Sequence, residues 1–152
     1  MNEGLKPEQQ ELIKLNPKEI WLIDDNTDLT RSLLMSWRAK LKEKELTCQV
    51  FNTGRSAFQE LQKRIEEKTD LPAVLIVDEE LKLDEEDDEF RSGVNLIRAI
   101  RTIEDIPQPA IIAYSSCERS NNALIGAGAN SAFIKPDRRI IDYFESLGEQ
   151  SQ

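Results

Sequence analysis

The sequence predicts an α/β protein: a doubly wound five-stranded parallel sheet with helices on both faces. Three observations predict it. Apolar runs of strand length alternate with segments of helical spacing along the whole chain. The runs are almost continuously apolar, as strands buried on both faces must be. Carboxylates, hydroxyls and an ammonium follow the runs directly, and in such sheets the working rim lies beyond the carboxyl ends of the strands.

The first strand is "IWLI", residues 20–23, followed by a helical face of Leu29, Leu33, Leu34, Trp37 and Leu41. The second, "CQVF" at 48–51, carries little chemistry after it, as befits an edge; Phe58, Leu61 and Ile65 form the next helical face. The third, "AVLIV" at 73–77, is the most strand-like run and is expected at the centre. Ser92 then stands as an N-cap before Ile97, Ile100 and Ile103. The fourth strand is "AIIAY" at 110–114; the segment 118–127 behind it carries the faintest helical period. The fifth is "AFI" at 132–134, and Ile140, Ile141, Phe144 and Leu147 follow Asp137 as a last helix. The expected organisation is a polar N-terminal extension over 1–17, one domain over 18–148 and a tail over 149–152.

Composition narrows the function. The 152 residues hold 20 Lys and Arg against 29 Asp and Glu, a net charge of -9. Such a chain offers no electrostatic footprint for a nucleic-acid backbone and no basic patch for an anionic membrane. It has no apolar span of membrane length and no leader pattern, so a reducing, cytoplasmic setting is expected. The two cysteines, Cys48 and Cys117, fit no metal or redox spacing and are read as buried or half-buried thiols. There is no histidine, which removes His-dependent nucleophiles, His-containing zinc sites and phosphohistidine on this chain. No GxGxxG follows the first strand, and the "GAGA" at 126–129 lies late, so a Gly-rich nucleotide loop is disfavoured.

The chemistry collects at strand ends. Asp24 and Asp25 follow the first strand, Asp78 the third, Ser115 and Ser116 the fourth, and Lys135 with Pro136 the fifth. Singly, each has a plain reading: Asp24 and Asp25 as helix caps, Asp78 as a turn residue, Ser115 as a loop hydroxyl, Lys135 as a surface cation. Jointly they would be complementary groups from four strand ends meeting on one rim. Two carboxylates ~4 Å apart repel by about 4 kcal/mol at an effective dielectric of ~20. Three in one cleft must raise one another's pKa or take a cation. With oxygen donors only, Mg²⁺ is the natural ion.

At these positions the chain resembles the receiver domain of two-component response regulators, from about Glu19 to Leu147. "LIDDN" resembles the acidic pair, "LIVDEE" the phosphoacceptor strand, "IIAYSS" the Thr/Ser strand and "GANSAFIKP" the Gly-Ala to Lys-Pro segment. The resemblance implies a flavodoxin-like sheet of order 2-1-3-4-5. It implies that Asp78 accepts a phosphoryl group from phosphohistidine, and that Asp25, Asp78 and the Glu80 backbone carbonyl ligate Mg²⁺ with Asp24 acting through a water. Ser115 and Lys135 would contact phosphoryl oxygens, with a cis Lys-Pro bond. The implied partners are a histidine kinase or histidine phosphotransfer protein and a downstream protein, with no direct nucleic-acid or membrane contact. The chain would then be no enzyme beyond its own phosphorylation and dephosphorylation.

Three departures stand out. The segment "EELKLDEEDDEFRSG" is about seven residues longer than usual, judged by the spacing to Gly93, and strongly acidic. The family's frequent aromatic three residues before the lysine is here Ala132, with Phe133 beside it. The segment between Ser115 and Gly128 is also short, so a short or irregular fourth helix is expected. Two other functions fit parts of the pattern: a phosphorylation-independent binding module, and a Mg²⁺-dependent phosphohydrolase with Glu80 as general acid two residues after its aspartate nucleophile.

Overall fold

The structure, a computed structural model, describes residues 13–81 and 89–150. The first twelve residues of the expected extension and the acidic run 84–88 lie outside them. Five strands, β1 (Leu15–Ile23), β2 (Thr47–Phe51), β3 (Leu71–Val77), β4 (Ala110–Ser115) and β5 (Ser131–Ile134), form one sheet of order β2-β1-β3-β4-β5. Every neighbouring pair is parallel. The helices are α1 (Thr27–Glu43), α2 (Gly54–Glu67), α3 (Gly93–Arg101), α4 (Glu118–Ala127) and α5 (Arg139–Gln150). This is the doubly wound sheet that the alternating pattern predicts, with "AVLIV" in its centre and "CQVF" at an edge.

Strand side chains alternate between faces, so each strand feeds two cores. Ile20, Leu22, Val74, Ile76, Ile112 and Tyr114 pack under Leu33 and Trp37 of α1 and Ile140 and Phe144 of α5. Trp21, Ile23, Leu75, Val77, Ile111 and Ala113 pack on the other face, under Leu61 of α2, Leu96 and Ile97 of α3 and Leu124 of α4. Trp37 lies edge-on to Phe144 at 5.2 Å, which locks α1 to α5 side by side on one face of the sheet.

The boundaries differ from the periodicity in informative ways. β1 begins at Leu15, inside the stretch expected as extension, and its register against β3 shifts between Asn16 and Ile20. α1 is capped by Asn26, whose side chain accepts from the Leu29 N–H at 2.9 Å, and by neither of the aspartates before it. Ser92 caps α3 as expected, accepting from the Val94 and Asn95 N–H groups. α4, expected to be short or irregular, runs unbroken over 10 residues. Cys48 is half-buried and Cys117 is exposed, so the expectation for the second thiol fails; it sits at the N-cap of α4, outside the apolar strand run.

The long segment after Asp78 is closed at its base by an antiparallel bridge between Glu80 and Ser92. The Leu81 N–H donates to the Arg91 carbonyl at 2.8 Å, and the Gly93 N–H to the Glu79 carbonyl at 2.7 Å. Leu81 and Phe90 are buried in the core, and the Phe90 ring lies 4.7 Å from that of Phe58. The described residues on either side of the insertion thus form a short stem beside the strand end.

That stem brings the start of α3 hard against β3. A Cβ at Gly93 would stand 2.1 Å from the Asp78 carbonyl oxygen, so only glycine fits there. Gly93→Ala is expected to destabilise the protein by about 2–3 kcal/mol through overpacking, measured by urea unfolding. Unchanged stability would show that this contact is looser than described.

Candidate functional site

The site stands at the carboxyl ends of β1, β3, β4 and β5. Parallel pairing puts these ends level. Ile23 pairs with Val77, Val77 with Ala113, and Ser115 with Ile134, so the residues that follow meet on one rim. The backbone is pinned up to the last residue. The Asp24 N–H donates to the Phe51 carbonyl and the Asp78 N–H to the Ile23 carbonyl, each at 3.0 Å. The Asp24 carbonyl in turn accepts from the Asn52 side chain at 2.8 Å.

Two carboxylates are oriented in the same way. Oδ1 of Asp24 accepts from the Asn26 N–H at 2.9 Å, and Oδ1 of Asp78 from the Glu79 N–H at 2.8 Å. Their Oδ2 atoms both face Lys135, whose Nζ lies 2.5 Å from Asp24 and 3.2 Å from Asp78. Asp24 is 1% exposed, Asp78 14% and Lys135 7% by side chain, so the ammonium is a buried bridge between a buried acid and a half-buried one. Asp25 is half-buried beside them, and one carboxylate oxygen from each of Asp24, Asp25 and Asp78 falls within 4.8 Å of the others.

Charge in this space is costly. Burial, reinforced by the nearby Asp24 carboxylate, pushes the Asp78 carboxyl up to about 6 despite the opposing pull of Lys135. Burial alone would lower the Lys135 pKa, but Asp24 and Asp78 outweigh it and hold it above the usual lysine value. Two of the carboxylates, Asp24 and Asp78, face the ammonium, and Asp25 brings a third carboxylate oxygen into the same cluster, a grouping that could hold a divalent cation. The donors are all oxygens, which suits a hard ion.

Ser115 ends β4 on the same rim. It is buried, its Oγ accepts from the Cys117 N–H at 3.3 Å, and its carbonyl accepts from the Lys135 N–H at 2.9 Å. The Lys135–Pro136 bond is cis. The two stem hydrogen bonds described above use the Glu79 and Arg91 carbonyls. Ala132 is exposed on β5, while Phe133 is half-buried and 6.5 Å from the Tyr143 ring.

Sequence reasoning missed two side chains here. Glu79 touches α4 through the Ser120 hydroxyl at 3.5 Å. Asn121 is 3% exposed and bonds to the backbone of Ser115 and Phe133. Its spacing of three from Leu124 was the available signal, since it placed an amide on the buried stripe of α4.

No protein-family model matches the sequence, and no curated protein matches it. Solved structures do: 229 chains match the fold. A two-component response regulator from Clostridium difficile is 16% identical, with 88% of this chain and 96% of that one covered and a TM-score of 0.62. The receiver domain of a sensor histidine kinase from Pseudomonas aeruginosa PAO1, with a magnesium ion coordinated in its active-site cleft, is 19% identical over 87% of this chain and 95% of its own, TM-score 0.63. The Mn²⁺-bound form of the response regulator Rcp1 is 20% identical over 88% and 91%, TM-score 0.57.

The raised Asp78 pKa has a consequence for stability. The native carboxyl binds its proton more tightly than the unfolded one, whose pKa is the ordinary 3.8. Its stabilising share is therefore complete below about pH 4 and is lost as pH rises through about 6. In EDTA, Asp78→Asn should gain about 1–3 kcal/mol over the wild type between pH 4 and 7, read from urea unfolding at each pH. A difference that does not change with pH would overturn this account.

With its sheet order, its acidic rim and the solved chains it matches, the polypeptide has the fold of response regulator receiver domains.

Proposed function

We propose that this chain is a phosphoacceptor receiver of a two-component phosphorelay. The observation that carries the reading is the convergence of Asp24, Asp25 and Asp78 on one rim opposite the buried Lys135, within a receiver fold. Four strand ends supply complementary groups, and phosphoryl transfer depends chiefly on such positioning and charge neutralisation.

Asp78 is the acceptor. One of its carboxylate oxygens donates an electron pair to phosphorus while the P–N bond of a phosphohistidine breaks. The imidazole leaves with the bonding pair, and Asp78 becomes an acyl phosphate. A pKa near 6 leaves the carboxylate mostly ionised at neutral pH, as a nucleophile must be. Asp24, Asp25, Asp78 and the Glu80 carbonyl are the groups that would hold Mg²⁺, which when bound supplies positive charge against the phosphoryl oxygens. Magnesium in the Pseudomonas aeruginosa neighbour and manganese in Rcp1 support a divalent ion of this kind. Lys135 then moves its ammonium from the carboxylates to a phosphoryl oxygen, and the Ser115 hydroxyl donates to another. Drawing Ser115 inward shifts the loop after β4, and a downstream protein reads that shift.

The donor is a histidine kinase or a histidine phosphotransfer protein. The sensor-kinase receiver among the neighbours supports that class. The chain itself carries the phosphoryl group and turns over no other substrate. Among the described residues, no helix is long and apolar enough to cross a membrane.

Incubation with Mg²⁺ and acetyl phosphate should give one base-labile, acid-stable phosphoryl group per chain, and Asp78→Asn should abolish it. Labelling that survives this substitution would remove Asp78 as acceptor, and steady turnover of phosphate esters would favour a phosphohydrolase. Absence of both labelling and Mg²⁺ binding would leave a phosphorylation-independent binding module. Independently, Mg²⁺ at about a hundredfold excess over its Kd should raise the Tm by roughly 5–10 °C, with most of that gain lost in Asp25→Asn. A Tm indifferent to Mg²⁺ would contradict the metal assignment.

A further inference from the structure

The buried stripe of α4 carries a polar side chain among apolar ones. Asn121 is 3% exposed and shares its face with Leu124 and Ala127. An apolar residue would pack there with no desolvation cost, so the amide must be retained for what it bonds. Its Oδ1 accepts from the Ser115 N–H at 2.9 Å. Its Nδ2 donates to the Phe133 carbonyl at 2.9 Å and, at 3.4 Å, to that of Ser115. One amide therefore clasps β4 at Ser115 and β5 at Phe133, beside the last paired residues Ser115 and Ile134.

The position matters because β5 is weakly held. It is a four-residue strand at the edge of the sheet, and the end that carries Lys135 follows it directly. Beyond the β4–β5 ladder, the Lys135 N–H donates to the Ser115 carbonyl at 2.9 Å, and the Asn121 amide on α4 donates to the Phe133 carbonyl. The same amide holds the N–H of Ser115, whose hydroxyl faces the same rim. Next to it, the Ser120 hydroxyl meets Glu79, the residue after Asp78.

We infer that Asn121 is a positioning residue for phosphoryl transfer: its amide sets the spacing between the Ser115 hydroxyl and the Lys135 ammonium. The inference rests on the phosphoacceptor reading above. Asn121 acts through the two backbones it holds and touches none of the three acidic residues. Its removal should therefore slow transfer and spare metal binding.

The test uses the full chain with Mg²⁺ and acetyl phosphate. Asn121→Leu should label Asp78 about 10- to 100-fold more slowly than the wild type, the cost of a misplacement of about an ångström. The Mg²⁺ dissociation constant, from calorimetry, should stay within about twofold, since the substituted group is remote from the carboxylates. In a Ser115→Ala background the same substitution should cost measurably less, because part of its effect runs through the missing hydroxyl. Should the leucine variant fail to fold, Asn121→Ser tests the same bonds at smaller volume. A wild-type chain that takes no label overturns the acceptor reading and this role together. A labelled wild type with variants that label equally fast, or a loss that is fully additive with Ser115→Ala, overturns the positioning role alone.

Discussion

The Lys135 ammonium between Asp24 and Asp78 is the contact on which the rest of the rim depends. Carboxylates from neighbouring strand ends cannot be buried together without a counter-charge. Lys135 supplies it from a strand that adjoins neither of theirs, because the order β2-β1-β3-β4-β5 sets β4 between β3 and β5. A single chain crossing thus ties together residues 24, 78 and 135. The paired backbone N–H groups of Asn26 and Glu79 turn both carboxylates so that their second oxygens meet the ammonium. What remains is a cluster of carboxylate oxygens held at fixed positions, an arrangement suited to a cation.

A different buried acid shows how special that grouping is. Glu19, at the other end of the sheet, is also nearly covered, but Trp21 and Arg64 satisfy both of its oxygens. Arg64 also lies over the Trp21 ring at 5.3 Å. There the charge is answered by its surroundings and the cluster is structural. At the rim two acids share one ammonium and a third carboxylate oxygen, from Asp25, lies within 4.8 Å of theirs, and this clustering sets the site apart from an ordinary buried ion pair.

Much of this was legible in the order of residues. The strand ends carry Asp24, Asp25, Asp78, Ser115 and Lys135 because a parallel sheet displays whatever follows each apolar run, and apolar runs are easy to read. The Ser92 cap was legible because capping is local. The plain reading of Asp24 and Asp25 as the cap of α1 could not be separated from their site role by pattern alone, since Asp and Asn cap equally well and only the turn geometry favours Asn26. The start of β1 at Leu15 was hidden because residues 15–19 are mostly polar and join the sheet through backbone pairing with β3. Cys117 was misread because the apolar run stops before it and the chain turns outward. Asn121 could not be assigned a task, since its partners are backbone atoms of residues that only the packing of α4 brings near.

The amino-acid order by itself determined the class of the sheet, the central place of residues 73–77 and the list of charged groups at the strand ends. These follow from hydrophobic periodicity and local preference, which act within one element. Tertiary structure alone decided the pairing of Lys135 with two particular oxygens, the raised pKa of Asp78, the stem under the acidic insertion and the grip of Asn121 on two strands. Each of those depends on distance and burial between elements far apart in the chain. Electrostatic and hydrogen-bond energies change steeply with such distances, and no pattern along one segment encodes them.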